Sequence, residues 1–177
     1  MEFKDLVKIR QSDRKYLDKP IEREKIVQCL ESARLSPSSN NSQPWKFIII
    51  DEPELRKNIC NETAGLGMNH FIHQAPIIIA IVLEKQNLLS SIGTVIQDKE
   101  YSLLDMGIAV NQFCLQASDL GLGTCIIGWF KENNIKKLLN VPAKLRLPLL
   151  ISVGYTDNNI RQKGRKKIEQ MSNWNSY

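Results

Sequence analysis

The 177-residue chain is 42% hydrophobic and 24% charged, with a formal net charge of +5. That balance fits one globular domain with a real core and excludes a disordered or fibrous polypeptide. The opening MEFKDLVKIRQSD alternates charged and apolar residues, unlike a secretory signal, and the longest apolar run, Ala75 to Leu83, is too short for a membrane-spanning helix, so a cytoplasmic location is expected.

Phe3, Leu6, Val7 and Arg10 follow the i, i+3, i+4, i+7 spacing of an amphipathic helix, which puts Arg10 on the apolar stripe. An inward-facing guanidinium needs an anion, because an unpaired buried charge is very costly. The helix is expected to end near Ser12, with SDRKYLDKP extended up to Pro20. IEREKIVQCLESARLS predicts a second helix, with Ile26, Cys29, Leu30 and Ala33 on one face and Pro37 as its stop. Next, SPSSNNSQPWKF at 36–47 packs four serines, two asparagines, a glutamine and two prolines between apolar segments. A plain Asn/Ser turn needs only a few such residues. The loop is suited instead to wrapping a flat polar ring, with Trp45 in the core.

KFIIID reads as a buried strand, EPELRKNIC as a short helix, and APIIIAIVLE as a second buried strand opened by Pro76. Lys85 to Lys99 is weakly patterned and is expected to be a mobile excursion. YSLLDMGIAVNQFCLQASDLGLG predicts the longest helix, apolar on nearly every side and therefore buried all round, partly by another subunit. Gly107 would permit a close helix crossing, while Gly121 and Gly123 suit a left-handed stop. TCIIGWF gives a short strand, NNIKKLL a helix and LPLLISVGY a final strand, before a polar, basic tail from Thr156 to Tyr177. No repeat or linker divides the chain, so 1–177 is read as a single domain. Its elements do not form regular βαβ units.

The chemistry-bearing residues are sparse. Cys29, Cys60, Cys114 and Cys125 form no Cys-x-x-Cys pair, so they read as reduced, buried thiols. His70 and His73 are the only histidines and have no acidic residue near them in sequence, so no metal site is expected. Ten basic residues lie between Lys131 and Lys167, against only Glu132 and Asp157. That block is a solvated face, a nucleic-acid patch or a site for a smaller anion.

RQSDR at 10–14 followed by SPSSNNSQPWKF at 36–47 resembles the paired signature of the FMN-dependent nitroreductase family. DMGIAVNQFCLQASDLGLGTCIIGWF at 105–130 resembles its central helix and following strand, and KGRKKIEQM at 163–171 its basic C-terminal motif. The resemblance implies an α+β, three-layer fold: a central mixed, mostly antiparallel sheet flanked by helices, in an intertwined homodimer with flavin at the interface. It implies that Arg10, Lys163 and Arg165 clamp the FMN phosphate, with Gln11 and Ser12 beside them. Arg14 would support the pyrimidine edge of the ring electrostatically, where a cation stabilises the reduced form. Pro37, Ser38, Ser39, Asn41 and Gln43 would meet the ring and ribityl chain, and Ile127 and Gly128 would bring backbone N–H groups to the N5/O4 side. No catalytic side chain is implied. Electrons would pass by ping-pong from NADH or NADPH to nitroaromatic, quinone or similar acceptors.

Other readings compete with this one. A specialised flavin enzyme of the same superfamily, such as a reductive dehalogenase, and a flavin binder without turnover share these motifs. A small nucleic-acid-binding protein would use RQKGRKK, but no binding module or aromatic platform accompanies it. Neither a nucleic-acid nor a membrane partner is expected.

Overall fold

Runs of β-branched residues make the centre of the protein, because such side chains pack well on a pleated, buried surface. In the computed structural model, which describes residues 1–63, 68–85 and 99–177, four of them become strands. These are β1 (Trp45–Ile50), β2 (Ile77–Leu83), β3 (Leu122–Ile127) and β4 (Arg146–Tyr155). They form one sheet in the order β1-β2-β4-β3, with every neighbouring pair antiparallel. A parallel contact of the expected mixed sheet is the bridge from Ser12, outside the strands, to Thr124 of β3. Of the predicted excursion at Lys85 to Lys99, residues 86–98 lie outside the described residues.

The helices are α1 (Phe3–Ile9), α2 (Arg23–Arg34), α3 (Pro53–Thr63), α4 (Tyr101–Asp119) and α5 (Glu132–Leu138). Side chains alternate across a strand, and β2 feeds two cores accordingly. Ile77, Ile79 and Ile81 pack with α2 and α4 on one face, while Ile78, Ala80 and Val82 pack with α3 and α5 on the other. The result is the three-layer α+β arrangement that the resemblance implies. On the α4 side, Phe113 stacks on Phe47 with ring centroids 5.9 Å apart. All four cysteines are free and buried, and burial pushes the Cys29 thiol up to about 12.

Three expectations change. First, α1 stops at Ile9, so Arg10 caps its C-terminal end rather than lying on a buried stripe. The helix touches the body of the protein through α4, and Phe3 and Val7 are exposed. Second, this chain by itself buries α4 on one side, so all-round burial would need the other subunit. Met106, Ala109, Val110, Phe113, Cys114 and Ala117 enter the core, whereas Leu103, Leu104 and Ile108 face outward. Gly107 lies on that outer side, with nothing within 4 Å of a Cβ built there, so no helix among the described residues crosses it closely. Third, Gly121 does take the left-handed conformation (φ +77), but Gly123 is a β3 residue. A Cβ at Gly123 would lie 2.8 Å from both Asp13 Oδ2 and Thr156 Cγ2.

Candidate functional site

Beyond α1 the chain runs alongside the edge strand β3. The Ser12–Thr124 bridge and a 2.9 Å hydrogen bond from Asp13 N–H to Thr124 O fix its register. Tyr16 anchors the far end of this segment. It is buried, with its hydroxyl 2.9 Å from Asp13 O and 2.7 Å from Ser152 Oγ, and burial raises its pKa well above the usual value.

The polypeptide returns to the same place after β4. Arg161 donates its backbone N–H to Gln11 Oε1 at 3.0 Å and its guanidinium to Ser12 O. Lys163 Nζ donates to Val7 O at 2.8 Å. Two chain ends, about 150 residues apart, thereby enclose a cleft of about 290 Å³. Arg10, Gln11, Ser12 and Arg14 form one wall; Arg161, Gln162, Lys163, Gly164 and Arg165 form the other.

The electrostatics of this cleft are one-sided. Among the described residues, none of its five cations pairs with a carboxylate. Burial, and then the neighbouring Arg10 and Arg165, hold Lys163 below the ordinary lysine value. Clustered like charges without counter-charges disfavour one another until an anion arrives. Gln11 is otherwise engaged. Its amide donates to Asp13 Oδ1 at 3.0 Å and Asn159 O at 3.2 Å, so its side chain braces the wall rather than facing a ligand.

The cleft borders β3 at Ser12, which bridges to Thr124. By Leu17 the segment has crossed to Tyr155, the β4 partner of Leu122. Burial raises the pKa of the Cys125 thiol, and Arg14 and then Ser12 oppose that rise. Ile127 is buried opposite Leu150, while Gly128 is exposed. Trp129, also exposed, accepts a 3.0 Å hydrogen bond from Asn69 Nδ2 at its carbonyl.

The polar loop lies elsewhere. Asn40, Asn41 and Gln43 all take left-handed backbone conformations, with φ of 49°, 50° and 46°. This is uncommon for any residue but glycine, and glutamine is less suited to it than asparagine. Gln43 N–H donates to Ser38 Oγ at 2.9 Å, the Gln43 amide donates to Asn41 Oδ1 at 3.0 Å, and Ser39 N–H donates to the buried Asp105 on α4 at 3.0 Å. Pro37, Asn41 and Gln43 are exposed, with Ser38 and Ser39 half-buried.

This loop leads into β1, whereas the cation cleft borders β3, at the opposite edge of the sheet. Three inter-strand spacings of about 4.8 Å put some ~14 Å between those edges. The structure thus gathers Arg10, Gln11, Ser12, Arg14, Lys163 and Arg165 around one cleft, which Ile127 and Gly128 do not line. It leaves Pro37, Ser38, Ser39, Asn41 and Gln43 apart from them. Sequence reasoning missed Arg161 as a cleft residue; its only signal was the basic block around it.

Known proteins share this organisation. The sequence profile of the nitroreductase family matches residues 7–66 and 60–155. A putative NAD(P)H nitroreductase from Streptococcus pyogenes is 26% identical, covering 97% of this chain and 98% of that protein. An iodotyrosine deiodinase from Thermotoga neapolitana is 24% identical over 87% and 88%, so chain length does not set this protein apart from a dehalogenating relative. The solved structure of an FMN-dependent nitroreductase from Clostridium difficile superposes with a TM-score of 0.79 at 29% identity, covering 97% of this chain and 98% of that one. The family profile spans the arginine–serine segment, the polar loop and all four strands, and the chain belongs to the nitroreductase family.

Proposed function

We propose that this protein is an FMN-dependent oxidoreductase that moves two electrons by ping-pong from NADH or NADPH to nitroaromatic, quinone or similar small acceptors, as a cytoplasmic homodimer. The observation that carries the reading is the cleft where both chain ends bring cations together. Arg10, Arg14, Arg161, Lys163 and Arg165 surround one space without a carboxylate partner among the described residues. A phosphate ester, with close to two negative charges and three acceptor oxygens, is the complementary ligand. Arg10, Lys163 and Arg165 hold it, Ser12 adds a hydroxyl, and Gln11 and Arg161 keep the two walls in register.

Arg14, on the same wall of the cleft as Arg10, would support the pyrimidine edge of the ring. A cation there favours the reduced form. Ile127 and Gly128 offer backbone N–H groups, and the space at Gly128 is open: a Cβ there would meet only Leu149, at 3.8 Å. FMN held by these residues would supply the two-electron redox chemistry, with the nicotinamide and the acceptor using the site in turn. The chain's own part is to bind, orient and polarise.

The remaining contacts come from a second copy. Pro37, Ser38, Ser39, Asn41 and Gln43 are already held in a hydrogen-bonded, left-handed loop, but at the far edge of the sheet from the cleft of their own chain. The uncovered side of α4, with Leu104, Gly107 and Ile108, supports such an association.

The purified protein should be yellow and should release FMN on denaturation. Under anaerobic conditions NADH or NADPH should bleach it, and a nitroaromatic or quinone should restore the colour. A halogenated phenol in the same panel tests the dehalogenase alternative. A colourless protein that FMN does not reconstitute contradicts the flavin reading, and a flavin that no nicotinamide reduces contradicts the reductase.

A further inference from the structure

A carboxylate lies behind the N-terminal wall of the cleft, pairing with none of its cations. Asp13 follows Ser12, precedes Arg14 and is 5% exposed. Its Oδ1 accepts two hydrogen bonds from neutral amides: Gln11 Nε2 at 3.0 Å and Asn158 Nδ2 at 3.1 Å. The Gln11 amide extends the bridge to the other chain end, donating to Asn159 O at 3.2 Å and accepting the Arg161 backbone N–H at 3.0 Å. Asn158 also donates to Lys15 O at 3.1 Å. Behind Asp13, its backbone is tied to Thr124 and to the Tyr16 hydroxyl. Gly123 leaves room for the side chain, since a Cβ there would come within 2.8 Å of Oδ2.

We propose that Asp13 is a positioning residue. Through Gln11 and Asn158 its carboxylate fixes the spacing between the N-terminal cations, Arg10 and Arg14, and the C-terminal cations, Arg161, Lys163 and Arg165. The proposal rests on the flavin reading above. Two physical facts make such a bridge necessary. The tail beyond β4 has no core of its own: Ile160, Ile168, Met171 and Trp174 are all exposed. Its cations also face those of the first segment across the cleft, and Arg10 adds to the burial that holds Lys163 below the ordinary lysine value. Without a tie, ordering the tail beside those cations would fall on the ligand and weaken its binding.

Charge and geometry predict opposite signs here, which makes the idea testable. By Coulomb's law alone a carboxylate beside the cleft opposes phosphate binding, so removing it should tighten binding. If the carboxylate is the bridge, removing it should loosen binding. The measurement is the FMN dissociation constant of flavin-stripped protein, read from flavin fluorescence, with the thermal midpoint of each variant recorded alongside. Asp13→Ala is expected to bind FMN at least about tenfold more weakly, the value of roughly one charged hydrogen bond. Asp13→Asn keeps an acceptor oxygen without the charge and is expected to stay within about threefold of the parent. Asn158→Ala touches no ligand and keeps Asp13, and it is expected to weaken binding severalfold with little change in midpoint. It also carries the test if Asp13→Ala does not fold. Unchanged or tighter binding in Asp13→Ala and Asn158→Ala overturns the proposal, as does an equal loss in Asp13→Asn and Asp13→Ala. A parent protein that takes no FMN overturns the flavin reading itself, a result distinct from both.

Discussion

Replacing Gly154 by alanine would place a methyl group 2.7 Å from Tyr16 Cδ1, 3.1 Å from Tyr16 Cγ and 2.9 Å from Pro76 Cδ. Neither neighbour can swing away. The Pro76 ring is closed on its own backbone, and Tyr16 is buried with its hydroxyl held by Asp13 and Ser152. Overpacking of this kind costs about 1–3 kcal/mol. Displacing Tyr16 enough to strand its hydroxyl adds about 1–3 kcal/mol. With about 3 kcal/mol as a central value, and 2–4 °C per kcal/mol for a domain of this size, the thermal midpoint should fall by about 6–12 °C. Because Tyr16 lies two residues past Arg14, flavin affinity should fall with it. Far-UV circular dichroism melts with and without FMN, together with an FMN titration, provide the assay. A variant melting within about 2 °C of the parent would show that the β4–Tyr16 contact does not hold this segment.

Arg10→Ala and Arg165→Ala should each weaken FMN retention by roughly ten- to a hundredfold, as expected when a charge-assisted contact to phosphate is lost; flavin occupancy unchanged in both would remove the phosphate assignment. Lys163, held below the ordinary lysine value of 10.5 by burial and then by Arg10 and Arg165, gives a pH signature. Between its depressed folded value and 10.5 the unfolded chain carries more protons, so the flavin-free protein should gain a little stability as pH rises through that window. Urea midpoints against pH should show this gain in the parent and not in Lys163→Arg, and parallel curves would contradict it. Ile108→Glu puts a charge on the uncovered side of α4 and should yield a monomer with weakened flavin binding by sedimentation; an unchanged dimer would move the interface elsewhere.

The cores were readable because their signal is local. Apolar runs such as IIIAIVL tolerate few environments other than a strand covered on both faces, and β2 is one. The loop at 36–47 and the segment at 10–14 were readable for a related reason: both hold more hydrogen-bonding or charged groups than a turn requires. What escaped depends on distant parts of the chain. Arg161 becomes a cleft residue only because Gln11 and Ser12, about 150 positions earlier, accept its hydrogen bonds. Asp13 carried no signal of its own in the sequence, and its burial follows from the absence of a side chain at Gly123. The stripes on α1 and α4 were correctly apolar, yet periodicity shows that a face is hydrophobic, not whether the same chain covers it. Phe3, Val7, Leu104 and Ile108 are uncovered for that reason.

The strand order β1-β2-β4-β3 sets the loop and the cleft on opposite margins of one sheet. On the two-copy reading, each polypeptide donates a different half to each of two neighbouring centres. Damage to the loop in one chain and to the arginines in another therefore falls on the same centre in a mixed pair and spares the other. Two individually dead variants, unfolded together and renatured as a mixture, should recover one sound centre in each hybrid. Inheritance of function would then follow the pair rather than the chain.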